Sequence, residues 1–220
     1  MSISIDIEDF PQIYSSGYVT VISLSNTSLY KNEENSDDLP LILWNHRWEH
    51  DKNPEGFFDV LIRLSQKGCK FNLAVLGEEF KQELPCFTKA REILKPHIVQ
   101  FGYTDSFEDY AIWLWKADIL PITSNQDFFG GSIMEGVYCC TIPLLPKRLT
   151  YPELFSQSEN PQLFYENSDK LIDKLTYAIQ NISETRKRSC QVNARKYDWA
   201  NMAKEYDGEL ANHLSIFHYG

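Results

Sequence analysis

The sequence predicts a doubly wound α/β domain, in which a parallel sheet is covered by helices on both faces. Three observations lead to this fold class. From residue 39 onward, short apolar runs of strand length alternate with stretches whose apolar residues recur at helical spacing. The runs are almost continuously apolar, as in strands that are buried on both faces. Glycine or proline stands at most of the boundaries between the two kinds of stretch.

Each predicted element has its own signal. Six runs are predicted as strands: 39–44, 71–76, 98–101, 118–123, 141–145 and 163–165. Helices are predicted at 54–68, 78–94, 107–116, 132–139 and 171–180, with a charged helical tail at 184–214. Pro54 suits a first helical position because its missing N–H is not needed there, whereas Pro85 divides the second helical stretch. Ser106 and Ser168 are the predicted N-caps, and Trp199 is the main apolar anchor of the tail.

The chain divides into two predicted parts. Residues 1–38 form an irregular N-terminal segment, with one strand-like stretch at 18–24 and a polar linker at 25–38. Residues 39–220 form the α/β domain and its C-terminal helices. With 43% hydrophobic residues over its 220 positions, the chain has enough apolar material for one packed core.

Composition and charge argue against several functional classes. A net charge of −10 disfavours a general nucleic-acid grip, which needs a basic face. No apolar run is long enough to span a bilayer, and residues 1–9 are acidic, unlike a signal peptide. The five scattered cysteines contain no C-x-x-C pair and are expected to be reduced. We therefore expect a soluble, cytoplasmic protein without a membrane partner.

The sequence is organised around residues 123–136, where a strand gives way to a helix. Asp127 and Glu135 bracket the double glycine Gly130-Gly131. Glycine allows positive φ and a close approach of ligand to backbone, and the N-terminus of the following helix offers free N–H groups to an anion. A turn with two solvated carboxylates would show the same local pattern, so the rest of the chain has to decide between the two.

The exit of the first predicted strand carries two cations, Arg47 and Lys52. Ligands of open α/β sheets bind beyond the carboxyl ends of the strands, so four loops should converge on one crevice: 45–53, 77–78, 102–105 and 127–132. Arginine and lysine there suit a diphosphate. His46 and His50 have the i,i+4 spacing of a metal-binding pair, but we expect them to lie in a loop solvated by polar residues.

These features resemble the C-terminal, nucleotide-sugar-binding half of retaining GT-B glycosyltransferases, which is Rossmann-like. The resemblance covers residues 39–214. It rests on a strand followed by Arg-x4-Lys, a Phe-Gly strand end, an Ala-Asp pair and an acid-x7-Glu element. A closer similarity, to the tRNA-queuosine mannosyltransferase family, is carried by WNHRWEHDKNP at 44–54, DFFG at 127–130, ME at 134–135, VYC at 137–139 and YPELF at 151–155.

The resemblance implies transfer of a hexose, mannose from GDP-mannose, to the queuosine base of tRNA-Asp. It implies that Arg47 and Lys52 hold the diphosphate, together with the backbone amides of Gly131 and Ser132. It implies that Glu135 accepts hydrogen bonds from the ribose hydroxyls and Asp127 from the hydroxyls of the donor sugar. Phe101 and Gly102 are implied to lie against the guanine. Gly130 belongs to the same donor-binding turn. The first acid of the motif is usually glutamate, so Asp127 is one methylene shorter than the family pattern.

The resemblance also implies what accompanies this domain. A GT-B enzyme needs an N-terminal acceptor domain, and about forty residues cannot form one, so we expect that domain to be missing from this chain and turnover by the chain alone to be poor. No D-x-D motif follows a predicted strand, and we expect neither a metal nor a cofactor. The alternative function is a non-catalytic nucleotide-binding module. A receiver-like or flavodoxin-like domain would leave Arg47 and Lys52 unexplained.

Two basic clusters, 147–148 and 186–188, are open to two interpretations. They could contact tRNA phosphates, or they could be solvated helix surface, which the sequence favours.

Overall fold

The computed structural model describes residues 39–77, 84–188, 190–197, 202–203 and 206–208, and confirms the predicted α/β architecture. The strands are β1 (Leu41–Trp44), β2 (Asn72–Leu76), β3 (Ile98–Gly102), β4 (Ile119–Pro121), β5 (Ile142–Pro146) and β6 (Phe164–Tyr165). The helices are α1 (Pro54–Gln66), α2 (Pro85–Ile93), α3 (Phe107–Lys116), α4 (Gly131–Tyr138), α5 (Tyr151–Leu154), α6 (Ser168–Gln180), α7 (Ile182–Lys187) and α8 (Gln191–Arg195). The predicted segment 1–38, with its strand at 18–24, lies outside the described residues, as does Trp199.

The six strands form one parallel sheet in the order β3-β2-β1-β4-β5-β6. Leu41 of β1 pairs with Asn72 of β2, and Ile42 pairs with Ile119 of β4. The strand order reverses between β1 and β4, so the connections that leave these two strands run in opposite directions. That reversal opens a crevice beyond their carboxyl ends, where ligands of such sheets bind.

Alternate residues of the strands enter two separate cores, which is why the apolar runs are continuous. Ile42 and Trp44 pack with α1, α2 and α6 on one face. Leu41 and Leu43 pack with α3, α4 and α8 on the other face. Burial of both faces is the property that the sequence predicted for a doubly wound sheet.

Two predicted boundaries differ from the structure. Helix α6 is capped by Asn167 rather than by Ser168, because the Asn167 side chain accepts from the backbone N–H of Lys170 at 3.0 Å. Asparagine and serine cap helices about equally well, so the sequence alone did not separate these neighbours. The predicted continuous tail is also interrupted: α7 ends at an extended Arg188, and α8 begins after Cys190.

A partly buried ion pair lies at the amino ends of the strands. Asp118, just before β4, accepts from the Leu41 backbone N–H at 3.0 Å and from Arg186 of α7 at 2.9 and 3.2 Å. Arg186 was expected on a solvated helix surface, and that expectation is wrong. Its guanidinium fastens α7 to the end of the sheet that lies opposite the crevice.

No helix among the described residues is both long and apolar enough to cross a bilayer.

Gly77, which ends β2, is predicted to tolerate no side chain. Its φ is 130°, and an added Cβ would lie 2.6 Å from the His46 carbonyl oxygen and 2.9 Å from the Trp48 indole nitrogen. Gly77→Ala should therefore combine backbone strain of about 1–2 kcal/mol with overpacking of about 1–3 kcal/mol. The matched control is Gly68→Ala, since Gly68 also has positive φ but open space around it. Urea denaturation should show the larger loss for Gly77→Ala, and equal losses would contradict this packing.

Candidate nucleotide-sugar site

The loop after β1 and the loop after β4 are joined at the carboxyl edge of the sheet. The backbone carbonyl of Asp51 accepts from the N–H groups of Asn125 and Gln126, at 2.7 and 3.2 Å. The Thr123 hydroxyl donates to the carbonyl of Lys52 at 3.0 Å. These bonds fix the loop that carries the predicted cations against the loop that carries the predicted glycine-led helix start.

Lys52 is the cation that reaches the second loop. Its ammonium donates to the Gln126 carbonyl at 3.1 Å and lies 3.2 Å from Asp51 and 3.6 Å from Asp127. The side chain is only 12% exposed, and that of Asp127 is 10% exposed. A largely desolvated lysine with two carboxylate neighbours is held in one place, and the two carboxylates compensate its charge.

Helix α4 begins at Gly131, one residue earlier than predicted. Gly130 is its N-cap residue, with φ 72° and ψ 51°, and no side chain caps the helix there. Asp127 accepts from the Gly130 N–H at 2.9 Å and so shapes the turn. The first N–H groups of a helix have no intrahelical partner, which leaves the amides of Gly131 and Ser132 directed out of the helix start. This eight-residue helix therefore presents its positive end at the loop edge.

Asn45 and His46 fasten the start of α4 to the end of β1. The Asn45 amide donates to the Ser132 carbonyl at 2.6 Å, and His46 Nδ1 lies 2.8 Å from the Ser132 hydroxyl. His46 is 2% exposed, so the expectation of a solvated loop is wrong for this residue. Burial lowers the pKa of His46 to about 4, and the imidazole is neutral at physiological pH. His50, by contrast, is exposed, and 3.6 Å separates it from Glu55.

Glu135 lies on α4, one turn beyond Ser132, and is bonded to Tyr110 of α3. The Tyr110 hydroxyl donates to Glu135 Oε2 at 2.6 Å. Burial raises the pKa of Glu135 to about 7, while the bond from Tyr110 lowers it. A carboxyl group that is half ionised near neutral pH is a feature of functional sites more often than of structural ones.

Two residues of the segment after β5 donate hydrogen bonds to the loop after β4. Arg148 donates to the carbonyls of Ser124 and Thr123, at 3.1 and 2.7 Å. The buried Tyr151 donates to the second carboxylate oxygen of Asp127 at 3.1 Å. The tRNA-contacting and solvated interpretations of Arg148 are thus both replaced by a structural role, in which it satisfies two backbone carbonyls.

The remaining predicted site residues lie at the same edge but make fewer contacts with the cluster. Arg47 is 62% exposed and is paired with Glu49 at 3.2 Å. Phe101 is partly buried, with the Arg91 guanidinium 4.5 Å from its ring and the Trp48 ring at 5.3 Å. Gly102 ends β3 with φ 112° and open space around it. Their contributions to binding stay predictions.

Three buried polar atoms of the first loop have no hydrogen-bond partner among the described residues: Asn45 Oδ1, His46 Nε2 and Asp51 Oδ1. Buried polar atoms are nearly always paired, so three exceptions in one loop require an explanation. Their concentration next to Lys52 favours a site that is completed by solvent or by a ligand. In the described part of the chain, no three His, Cys, Asp or Glu residues lie close enough together to hold a metal ion.

A separate cavity of about 140 Å³ opens at the same edge, between the starts of α1 and α6. Lys147, Glu166 and Asn167 line it, and Lys147 is paired with Glu166 at 2.7 Å. Neither Lys52 nor the start of α4 lines this cavity. The cavity borders the Lys52–Asp127–Gly130 cluster through Thr123 and Arg148. We place the candidate donor site at that cluster.

Several solved structures share this fold. A glycosyltransferase from Rickettsia africae is 19% identical, with a TM-score of 0.62 over 93% of this chain and 56% of that one. A sucrose-phosphate synthase from Thermosynechococcus elongatus is 17% identical, with a TM-score of 0.60 over 81% and 46%. Anabaena HepE, crystallised with UDP and glucose, is 14% identical, with a TM-score of 0.61 over 89% and 54%. The fold is that of one half of a GT-B glycosyltransferase.

The family model for glycosyl transferases group 1 matches residues 26–197, and the chain belongs to that family. Among characterised proteins, the tRNA-queuosine alpha-mannosyltransferase of Drosophila melanogaster is 34% identical over 134 residues. The match covers 61% of this chain and 34% of the fly protein. The chain thus spans about a third of that relative and about half of each of the three solved chains named above.

The site contains residues that sequence reasoning missed. Tyr110 was not singled out, and Asn45 and Tyr151 were noted only as parts of family motifs. The available signal for Asn45 was its position immediately after a buried strand, at the edge where ligands bind. Tyr110 gave no such signal, because it sits within an apolar helix and meets Glu135 only through the fold.

Glu135→Gln is predicted to stabilise the protein above neutral pH. The unfolded carboxyl ionises near pH 4.5 and the folded one near 7, so the wild type loses stability as pH rises through that window. Glutamine can still accept from Tyr110 without the buried charge. The free energy of unfolding of the variant minus that of wild type should rise between pH 4.5 and 7 by about 3 kcal/mol and then level off.

The control is Glu184→Gln, at an exposed carboxylate whose pKa is lowered by Arg188 and Tyr177. Its difference from wild type should change with pH in the opposite direction. A Glu135→Gln difference that is flat from pH 5 to pH 8 in urea denaturation would contradict a buried, half-ionised Glu135.

Proposed function

We propose that this chain is the donor-binding part of a retaining hexosyltransferase that uses GDP-mannose and modifies queuosine in tRNA-Asp. Membership in the group 1 glycosyl transferases and the similarity to the fly mannosyltransferase support the proposal. The observation that carries it is the position of Lys52, 3.6 Å from Asp127, whose carboxylate accepts from Gly130 at the start of α4. A cation and a helix N-terminus at one edge provide what a diphosphate needs.

In this proposal the chain acts through binding and charge. Lys52, with Arg47, neutralises the diphosphate as it leaves with the electron pair of its bond to the anomeric carbon. The amides of Gly131 and Ser132 add dipolar stabilisation at fixed positions. Asp127 accepts from hydroxyls of the sugar, and Glu135 accepts from those of the ribose.

The guanine would lie beyond β3, against Phe101 and Gly102. Tyr103, the next residue, is 73% exposed and offers an aromatic face at the same place. The queuosine acceptor is supported by the similarity to the fly enzyme and by no contact within the described residues. Lys147 and Arg148 are engaged with Glu166 and with backbone carbonyls, so they are not our candidates for tRNA contacts.

Lys52→Met is predicted to weaken GDP binding about 10- to 100-fold, since one charge-assisted contact is worth about 1.5–3 kcal/mol. Arg47→Ala should cost less, because Arg47 is exposed and paired with Glu49. The double variant should lose several kcal/mol, measured by calorimetry against GDP, UDP and ADP. Lys70→Met, at an exposed lysine before β2 on the opposite edge of the sheet, is the control. If the double variant binds GDP as tightly as wild type, the diphosphate assignment fails.

Asp127→Asn is predicted to separate nucleotide binding from sugar binding. The amide keeps an acceptor for Gly130 but removes a negative charge 3.6 Å from Lys52. GDP affinity should stay equal or increase, whereas GDP-mannose should lose its advantage over GDP by about tenfold. An unchanged ratio of the two affinities would exclude a sugar contact by Asp127.

Release or transfer of mannose distinguishes the enzyme from a non-catalytic nucleotide-binding module. If the chain is an enzyme, incubation with GDP-mannose should slowly form free mannose or mannosylated queuosine tRNA. Lys52→Met should abolish both products. Tight GDP-mannose binding with neither product would favour the module.

A further inference from the structure

Tyr110 joins three elements of the site through one hydroxyl group. It donates to Glu135 Oε2 of α4 at 2.6 Å and accepts from the Asn45 amide, which follows β1, at 3.3 Å. The same Asn45 nitrogen donates to the Ser132 carbonyl of α4 at 2.6 Å. One hydroxyl and one amide thus connect β1, α3 and the first turn of α4.

The direction of these hydrogen bonds is determined by their chemistry. The Ser132 carbonyl can only accept, so the Asn45 atom beside it must be the amide nitrogen. That nitrogen can only donate, so the Tyr110 oxygen accepts from it, and the single tyrosine proton is directed to Glu135. Glu135 Oε2 is thereby committed as an acceptor. Its other oxygen, Oε1, is left to receive a donor from outside the network.

We propose that Tyr110, oriented by Asn45, is a positioning residue that holds Glu135 so that Oε1 faces a hydroxyl of the bound nucleotide. This inference rests on the proposed function of Glu135 and adds a residue to it. The bond from Tyr110 lowers the pKa of Glu135, whereas burial raises it to about 7. Removing the tyrosine hydroxyl should therefore leave the carboxyl both less ordered and more fully protonated at neutral pH.

Other titratable groups near the network do not produce the same pH dependence. Burial raises the pKa of Tyr110 well above its usual value, with smaller contributions from Glu135 and Cys139, so Tyr110 stays protonated throughout the neutral range. His46, bonded to Ser132, has a pKa near 4 and stays neutral above pH 6. Between pH 6 and 8.5, Glu135 is the group of this network that titrates.

The test is Tyr110→Phe, which removes one oxygen atom. Carboxyl-carbon NMR should show the Glu135 pKa raised by the substitution. Calorimetry should show GDP affinity about tenfold lower at pH 7 and only partly restored at pH 8.5, because the ionised carboxylate is still without the bond that orients it. Tyr177→Phe is the matched control, because Tyr177 also donates to a glutamate, Glu184 at 3.0 Å, but on an exposed part of α6. It should leave GDP affinity unchanged at every pH.

Glu135→Gln provides the second arm. In that background Tyr110→Phe should no longer change the pH profile of GDP binding, because the titrating group is gone. A Tyr110→Phe profile that matches wild type, or a loss of affinity that is equal at all pH values, would overturn the positioning role. The NMR titration needs no ligand, so it decides whether Tyr110 orients Glu135 even if wild type binds no nucleotide, which would refute the proposed function instead.

Discussion

The site depends on the hydrogen bonds that fasten the loop after β1 to the loop after β4. These strands are neighbours at the reversal of strand order, and their helices, α1 and α4, pack on opposite faces of the sheet. The Asp51 carbonyl and the Thr123 hydroxyl supply the links. Lys52 and the start of α4 therefore share one crevice.

The charges of this crevice are arranged at a cost to stability. Lys52 is held by two carboxylates, and Glu135 is a carboxyl group buried beside a tyrosine. A core without these groups would be as stable or more so, because desolvating charges is unfavourable. Their presence is understandable if a diphosphate replaces Asp127 as the partner of Lys52 and if a nucleotide hydroxyl donates a hydrogen bond to Glu135. In this view stability and binding compete at the same residues.

Much of the fold and part of the site could be predicted from the sequence, for identifiable reasons. The six strands could be predicted because burial on both faces requires continuous apolar runs, and Asp127, Gly130 and Lys52 because they follow strands. Contacts between distant residues could not. Asn45 meets a tyrosine 65 positions away, and His46 meets Ser132 across 86. Local sequence patterns do not encode such long-range pairings, so the sequence did not distinguish the buried His46 from a solvated histidine.

The most direct test of the central claim is a crystal structure of the chain with GDP. The account predicts the diphosphate between the Lys52 ammonium and the amides of Gly131 and Ser132, with the pairing of Lys52 to Asp127 replaced by phosphate. The start of α6 beside Lys147 offers a competing helix N-terminus with a cation. A diphosphate bound there, with Lys52 still paired to Asp127, would contradict the account.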